Sequence, residues 1–304
     1  MWVVWNRIRD KYNFKDMRKK ILMFFLAGAF ALTMGCYPEE EVVAPVKTQT
    51  ESEDPLDQYI QENFVEEFGV AVRYKFVDRY VDQTKRVTPP KLEVVLPMLD
   101  FLAEFWIEPF TAVANGTRFF KAHVPAEVIL IGSTMYNADG TVTLGTADAG
   151  ARITLTEVNF VDTNDQGWVF RQLGTIYHEF AHIVHQRYNL PPNWQEISPQ
   201  GYTSLGSWYN LTDEEALQRG FVSPYGTSTF NEDFAEVAAF LLFRPDFFET
   251  FIEDEANCAT PDCVARNEGR AKLRRKYNAI LEHYEQNTGV DLLQVRDIIQ
   301  AKLQ

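Results

Sequence analysis

Cysteine is scarce in this 304-residue chain: there are 3, too few for a scaffold built on disulfides. Positive charge is in deficit, with 29 Lys and Arg against 43 Asp and Glu and a formal net charge of -14. Such a surface repels phosphate backbones and excludes nucleic acid as a natural partner. No internal repeat is found, and no composition break divides the chain into halves. No apolar run reaches the roughly 20 residues of a stable bilayer span. Gly140 and Gly145 stand in hairpin-like sequence and read as turn residues, not as a phosphate loop. What is present is ordinary for a globular protein: 46% hydrophobic and 24% charged residues, enough apolar material for a sizeable core.

The first segment reads as an address. Arg18, Lys19 and Lys20 precede the apolar run Ile21 to Leu32, and Thr33-Met34-Gly35-Cys36 closes it. A small residue before a Cys at the end of such a run resembles a bacterial lipoprotein signal, cleaved so that Cys36 carries the lipid. Thr33 departs from the Leu usual three places before that Cys, and an ordinary signal peptide is the plainer alternative. Met17 reads as the true start, with the stretch before it over-called. Residues 1–36 are therefore set aside. Without residues 1–35 the chain keeps 22 basic and 41 acidic residues, a net charge near -19. Glu39, Glu40 and Glu41, just behind Cys36, resemble the surface-export tag of some Gram-negative lipoproteins; a solvated spacer explains them equally. Residues 37–55 read as a flexible tether and residues 56–304 as a single domain. Outside the cytoplasm, Cys258 and Cys263, set across a Pro turn, are placed for a small local disulfide.

Periodicity predicts helices over 56–68 and 92–110, then a β-rich stretch over 119–155. Strands are expected at 70–77, 128–131, 141–144 and 152–156, with a hairpin turn at Ala138-Asp139-Gly140. From Trp168 onward the pattern is helical: 168–188, 212–218, 232–242, 245–254, 265–286 and 292–303. A sheet-bearing first half and a helical second half make the class α+β, with a mixed or antiparallel sheet packed on the helix at 168–188.

That helix carries the chemistry. Three of the 5 histidines fall in His178-Glu179-Phe180-Ala181-His182-Ile183-Val184-His185. Positions i and i+4 of a helix lie about 40° apart and roughly 6 Å along the axis, so His178 and His182 can aim at one point. A single Zn²⁺ accepts both. Glu179 is offset from that pair and suits a general base acting on water at the metal. The helix is apolar nearly all round, so its polar groups need partners, and metal ligation supplies them. Two core histidines with ordinary hydrogen bonds are the alternative. His185 lies roughly 10 Å along the axis from His178, too far to share a small metal sphere, and is assigned a supporting or substrate-facing place. His123 and His283 read as surface or core residues.

A third ligand must come from elsewhere. Glu232 and Glu236 are again i and i+4, on an apolar helix where two inward acids need partners. Glu232 is assigned as ligand and Glu236 as hydrogen-bond partner of a ligating imidazole. Asp233 is the fallback ligand. The competing explanation is a capped helix start, with Asn231 as N-cap and acids in the first turn.

His178-Glu179-x-x-His182 followed some fifty residues on by Glu232-x-x-x-Glu236 resembles the zincin metallopeptidases whose third ligand is a glutamate. The second helix looks like that of the anthrax lethal factor peptidase group, in which a Tyr seven residues before the ligand Glu assists the transition state. Tyr225, in Ser223-Pro224-Tyr225-Gly226, stands at that spacing; an aromatic in a turn is the competing explanation. With the lipoprotein signal, most of 55–304 is similar to the zinc-binding metallopeptidase lipoproteins associated with substrate import.

The resemblance implies a zincin-like fold and one Zn²⁺ per chain. It implies hydrolysis of peptide or protein substrates, a lipid anchor at the cell envelope, an outer-membrane surface location, and an outer-membrane nutrient transporter as partner. Zincins pair substrate along an edge strand; 152–156 or 141–144 is the candidate. Two other classes remain open: a metal-binding accessory lipoprotein of an import system without peptidase activity, and a zinc hydrolase acting on other bonds.

Overall fold

A computed structural model describes residues 52–77, 81, 84–136, 142–143, 145–148, 152–204 and 206–304. The segment expected to be a signal, with Cys36, most of the expected tether, the expected turn at 138–140 and Leu144 lie outside the described residues. Among the described residues no helix is long and apolar enough to cross a membrane.

Helix α1 (Pro55–Ile60) starts where the Asp54 side chain accepts the Leu56 amide, and it continues through a π-helical stretch, Gln61–Glu66. Strand β1 (Ala71–Arg73) follows. Helix α2 (Leu92–Leu102) runs through another π-helical stretch, Ala103–Ile107, into α3 (Glu108–Thr111). The short α4 (Gly116–His123) precedes β2 (Glu127–Leu130). Strands β3 (Met135–Tyr136), β4 (Val142–Thr143), β5 (Gly145–Asp148) and β6 (Arg152–Leu155) complete the β content. The rest is helical: α5 (Gln166–Tyr188), α6 (Asp213–Arg219), α7 (Phe230–Phe243), α8 (Pro261–Thr288) and α9 (Leu292–Lys302).

The main sheet has the order β1-β2-β6-β5; β1, β2 and β6 are parallel, and β5 is antiparallel to β6. It is thus mixed, and an antiparallel reading fails for its three parallel strands. Their long connections are what parallel neighbours require, and the unbroken buried run Val128-Ile129-Leu130 is what a strand covered on both faces requires. β3 and β4 form a separate antiparallel pair. Two expectations change here. Residues 119–123, assigned to the β-rich stretch, belong to α4. Strand β6 is paired on both sides, so 152–156 is no edge; β1 and β5 are the edges of the main sheet.

Helix α5 is the spine. The Asp165 side chain accepts the Gly167 and Trp168 amides at its start. At its end Asn189 takes a left-handed φ of 61°, ahead of Pro191 and Pro192. Gln172 donates to the Thr156 carbonyl and the Trp168 indole to that of Glu157, fastening the helix beside the sheet. Its buried face is held by aromatic rings: Phe180 meets Phe110 and Trp106 edge-on at 5.1 and 5.6 Å. The other faces of α5 are left for α7.

Candidate metal centre

Helices α5 and α7 pack side by side, and one turn of each supplies the centre. On α5, His178 and His182 present their Nε2 atoms 3.0 Å apart. On α7, the N-cap Thr229 accepts the Glu232 amide and fixes where the helix begins. Asn231, the other candidate for that cap, lies inside the helix. Glu232 Oε2 then stands 2.9 Å from His178 Nε2 and 3.1 Å from His182 Nε2. Among the described residues, a second cluster of potential ligands, Glu255 with Cys258 and Cys263, has its two sulfurs joined in a disulfide.

Around this triangle each imidazole has its own support. His178 Nδ1 lies 2.7 Å from Glu236 Oε1, so Glu236 accepts the Nδ1 proton and leaves the Nε2 lone pair facing inward. The other oxygen of Glu236 accepts from the Ser223 hydroxyl, which itself accepts the Gly226 amide at 3.1 Å. His182 Nδ1 lies 2.8 Å from His185 Nε2. Burial and the neighbouring His182 press the His185 pKa down to about 4, so His185 is neutral and accepts the His182 proton. Both inward Nε2 atoms are then acceptors, facing a carboxylate oxygen.

Three such atoms at about 3 Å repel unless a positive charge lies between them. In the protein alone a proton supplies it. Burial works against a charged His178, but hydrogen bonds to Glu232 and Glu236 outweigh it and push its pKa up to about 10. Burial likewise opposes ionisation of Glu232, and the two histidines overcome it, holding that carboxyl well below its usual range. A divalent cation meets the same demand. Tetrahedral bonds of about 2.0–2.1 Å put ligand atoms about 3.3 Å apart, a few tenths wider than the triangle found here. Two nitrogens and one oxygen are also a donor set that zinc accepts. The residues fit the ion.

Glu179 is half-buried beside the triangle. Burial raises its pKa, partly opposed by His178 and His182, and no described side chain hydrogen-bonds its carboxylate. The Tyr225 ring lies 5.8 Å from that of His178 and 5.0 Å from that of Trp208, with 38% of the residue exposed. Burial, followed by the charges of Glu232 and Glu179, raises its phenol, which stays protonated.

Asp233, the fallback ligand, points the other way. It is 1% exposed, pairs with Lys276 at 2.8 Å, and accepts from the Tyr202 hydroxyl at 2.8 Å. The Lys276 ammonium also donates to the Gly220 carbonyl at 2.7 Å and lies 3.7 Å from the centre of the Phe221 ring. Gly220 caps α6 with a φ of 92°, which favours glycine. Sequence reasoning missed Ser223, Trp208 and Lys276. Ser223 stands in the quoted Tyr225 turn, but nothing local marks it as a partner of Glu236.

A family model described as "Putative zinc-binding metallo-peptidase" matches residues 48–293. A crystal structure of a putative zinc-binding metallo-peptidase from Bacteroides caccae is similar at 27% identity, with a TM-score of 0.66, covering 81% of this chain and 90% of that chain. No curated protein matches.

Proposed function

From the premise that the chain belongs to the putative zinc-binding metallo-peptidase family, we propose that it hydrolyses peptide bonds in the manner of a zincin, with a zinc ion held by His178, His182 and Glu232. The observation that carries this reading is the convergence of two imidazole nitrogens and one carboxylate oxygen within hydrogen-bond distance of one another, next to the Glu179 carboxylate.

When bound, the ion supplies Lewis acidity, which acidifies water and polarises the amide carbonyl. The remaining roles belong to the chain. Glu179 takes the proton of the attacking water and hands it to the departing amine nitrogen; its raised pKa suits a group that must hold a proton and release it. Tyr225 donates its phenol hydrogen to the oxygen that gains charge on the scissile carbonyl. Glu236 keeps His178 in the tautomer whose Nε2 faces inward, and Ser223 holds Glu236. His185 does the same for His182.

The setting proposed is the cell envelope, with Cys36 as lipid attachment point. Its support is the segment 18–36 and the Cys258–Cys263 disulfide, a bond suited to an oxidising compartment. Zinc analysis of the purified chain, with digestion of a broad peptide library before and after chelation, tests the reading. One zinc per chain and chelator-sensitive cleavage are expected. Full cleavage in a metal-free chain would overturn it.

A further inference from the structure

The Asp233 carboxylate joins several segments of chain. One oxygen accepts from the Lys276 ammonium on α8 and the other from the Tyr202 hydroxyl, each at 2.8 Å. Lys276 also donates to the Gly220 carbonyl at 2.7 Å. The buried Phe221 ring touches both donors, 3.7 Å from the ammonium and 5.0 Å from the Tyr202 ring. Each segment tied here leads to the metal centre. Gly220 begins the stretch to Ser223, whose hydroxyl holds Glu236 behind His178. Tyr202 precedes Thr203, whose amide and hydroxyl both donate to the Thr227 carbonyl, in the turn that carries Tyr225. Asp233 itself is the neighbour of Glu232.

Stability alone does not call for such a pair. A buried ion pair exchanged for apolar residues of similar volume often costs nothing. What the pair has and an apolar contact lacks is direction. Direction matters on α7, because any rotation about its axis carries Glu232 along with Asp233. A rotation of about 10° moves an atom at the helix surface by about 1 Å, whereas ligand atoms at a metal tolerate only about 0.2 Å. We propose that Lys276, Asp233 and Tyr202 are positioning residues of the metal centre. Together they fix the rotation of α7 and the seat of the 220–227 segment on it, and hence where Glu232 stands against the two imidazoles. The affinity for zinc follows from that placement; this part rests on the metal reading above.

The test measures zinc affinity by competition with a coloured chelator, beside urea midpoints, on the full chain. Lys276→Met combined with Asp233→Leu is expected to unfold near the midpoint of the unaltered chain yet bind zinc about tenfold more weakly. The visible bands of the cobalt-loaded form should shift with it. Tyr202→Phe keeps the ring and removes one bond to Asp233; a loss of about threefold is expected. Val128→Ala, a buried change in β2, is the control: its midpoint falls and its zinc affinity stays. Unaltered affinity in both the double variant and Tyr202→Phe, or an equal loss in Val128→Ala, overturns the positioning role. The imidazole ¹⁵N spectrum of the chelated chain reads the same placement without metal. Displaced His178 signals are expected in the double variant and not in Val128→Ala. If the unaltered chain binds no zinc, the metal reading fails; displaced signals then uphold the positioning role, and unmoved ones overturn it.

Discussion

Two neighbouring acids on α7 meet opposite fates. Glu232 faces α5 and two imidazoles; Asp233, the next residue, faces α8 and a fully buried ammonium. Asp233 finds its positive charge inside the fold, permanently covalent to the chain. Glu232 and Glu236 together find only histidines, whose charge is a removable proton. The difference separates a carboxylate fixed by an internal ion pair from one proposed to hold a metal, although both sit on the same helix turn. It also suggests that α7 is held in rotation from both sides, so that fixing Asp233 against Lys276 fixes where Glu232 points.

The sharpest way to separate the two faces is through catalysis. Glu179→Gln is expected to lower kcat/KM by on the order of 10³-fold while zinc content stays at one per chain. Retained turnover would remove the base from the α5 side.

Stability should respond on the other face. Lys276→Met leaves Asp233 buried without its cation, at a cost of about 3–5 kcal/mol in urea unfolding. Adding Asp233→Leu is expected to recover most of that loss. If the single variant unfolds like the unaltered chain, the pair contributes nothing and the contrast is lost.

A gentler probe is pH. His178 has its pKa raised from 6.5 to about 10, so its contribution to the metal-free protein is full below the lower value and lost as pH rises towards the upper. Glu232 has its pKa lowered from 4.5, so its contribution is full above that value and lost as pH falls. The chelated chain should therefore be most stable between about pH 4.5 and 6.5. Zinc-loaded protein should instead hold its stability at alkaline pH and weaken in acid, because the ion competes with the His178 proton. Urea midpoints across pH, with and without zinc, read both curves.

The metal side of this contrast was legible in the sequence, and the Lys276 side was not. His178, His182, Glu232 and Glu236 announce themselves through four-residue spacing within single helices, which local geometry converts directly into a shared face. Asp233 was open to misreading because its partner lies 43 residues away and its direction depends on how α7 and α8 pack. The helix cap was misplaced for a milder reason: Asn231 and Thr229 are both good N-caps, and only the fold chooses. Most helices past Trp168 were visible, since each carries an apolar stripe. The sheet was harder. Gly145–Asp148 has no alternation to mark it as a strand, so the pairing that makes β6 internal left no trace in the residues.

The three proposed ligands, the Glu236 and His185 side chains behind them, and Glu179 all ride on α5 and α7. The connection between those helices, residues 189–229, contributes Tyr225 and Ser223 and, among the described residues, no proposed ligand. The proposed ligands and the residues that approach them from outside are thus written in separate stretches of chain. That connection could change in length or composition and still leave the proposed ligands where the two packed helices put them.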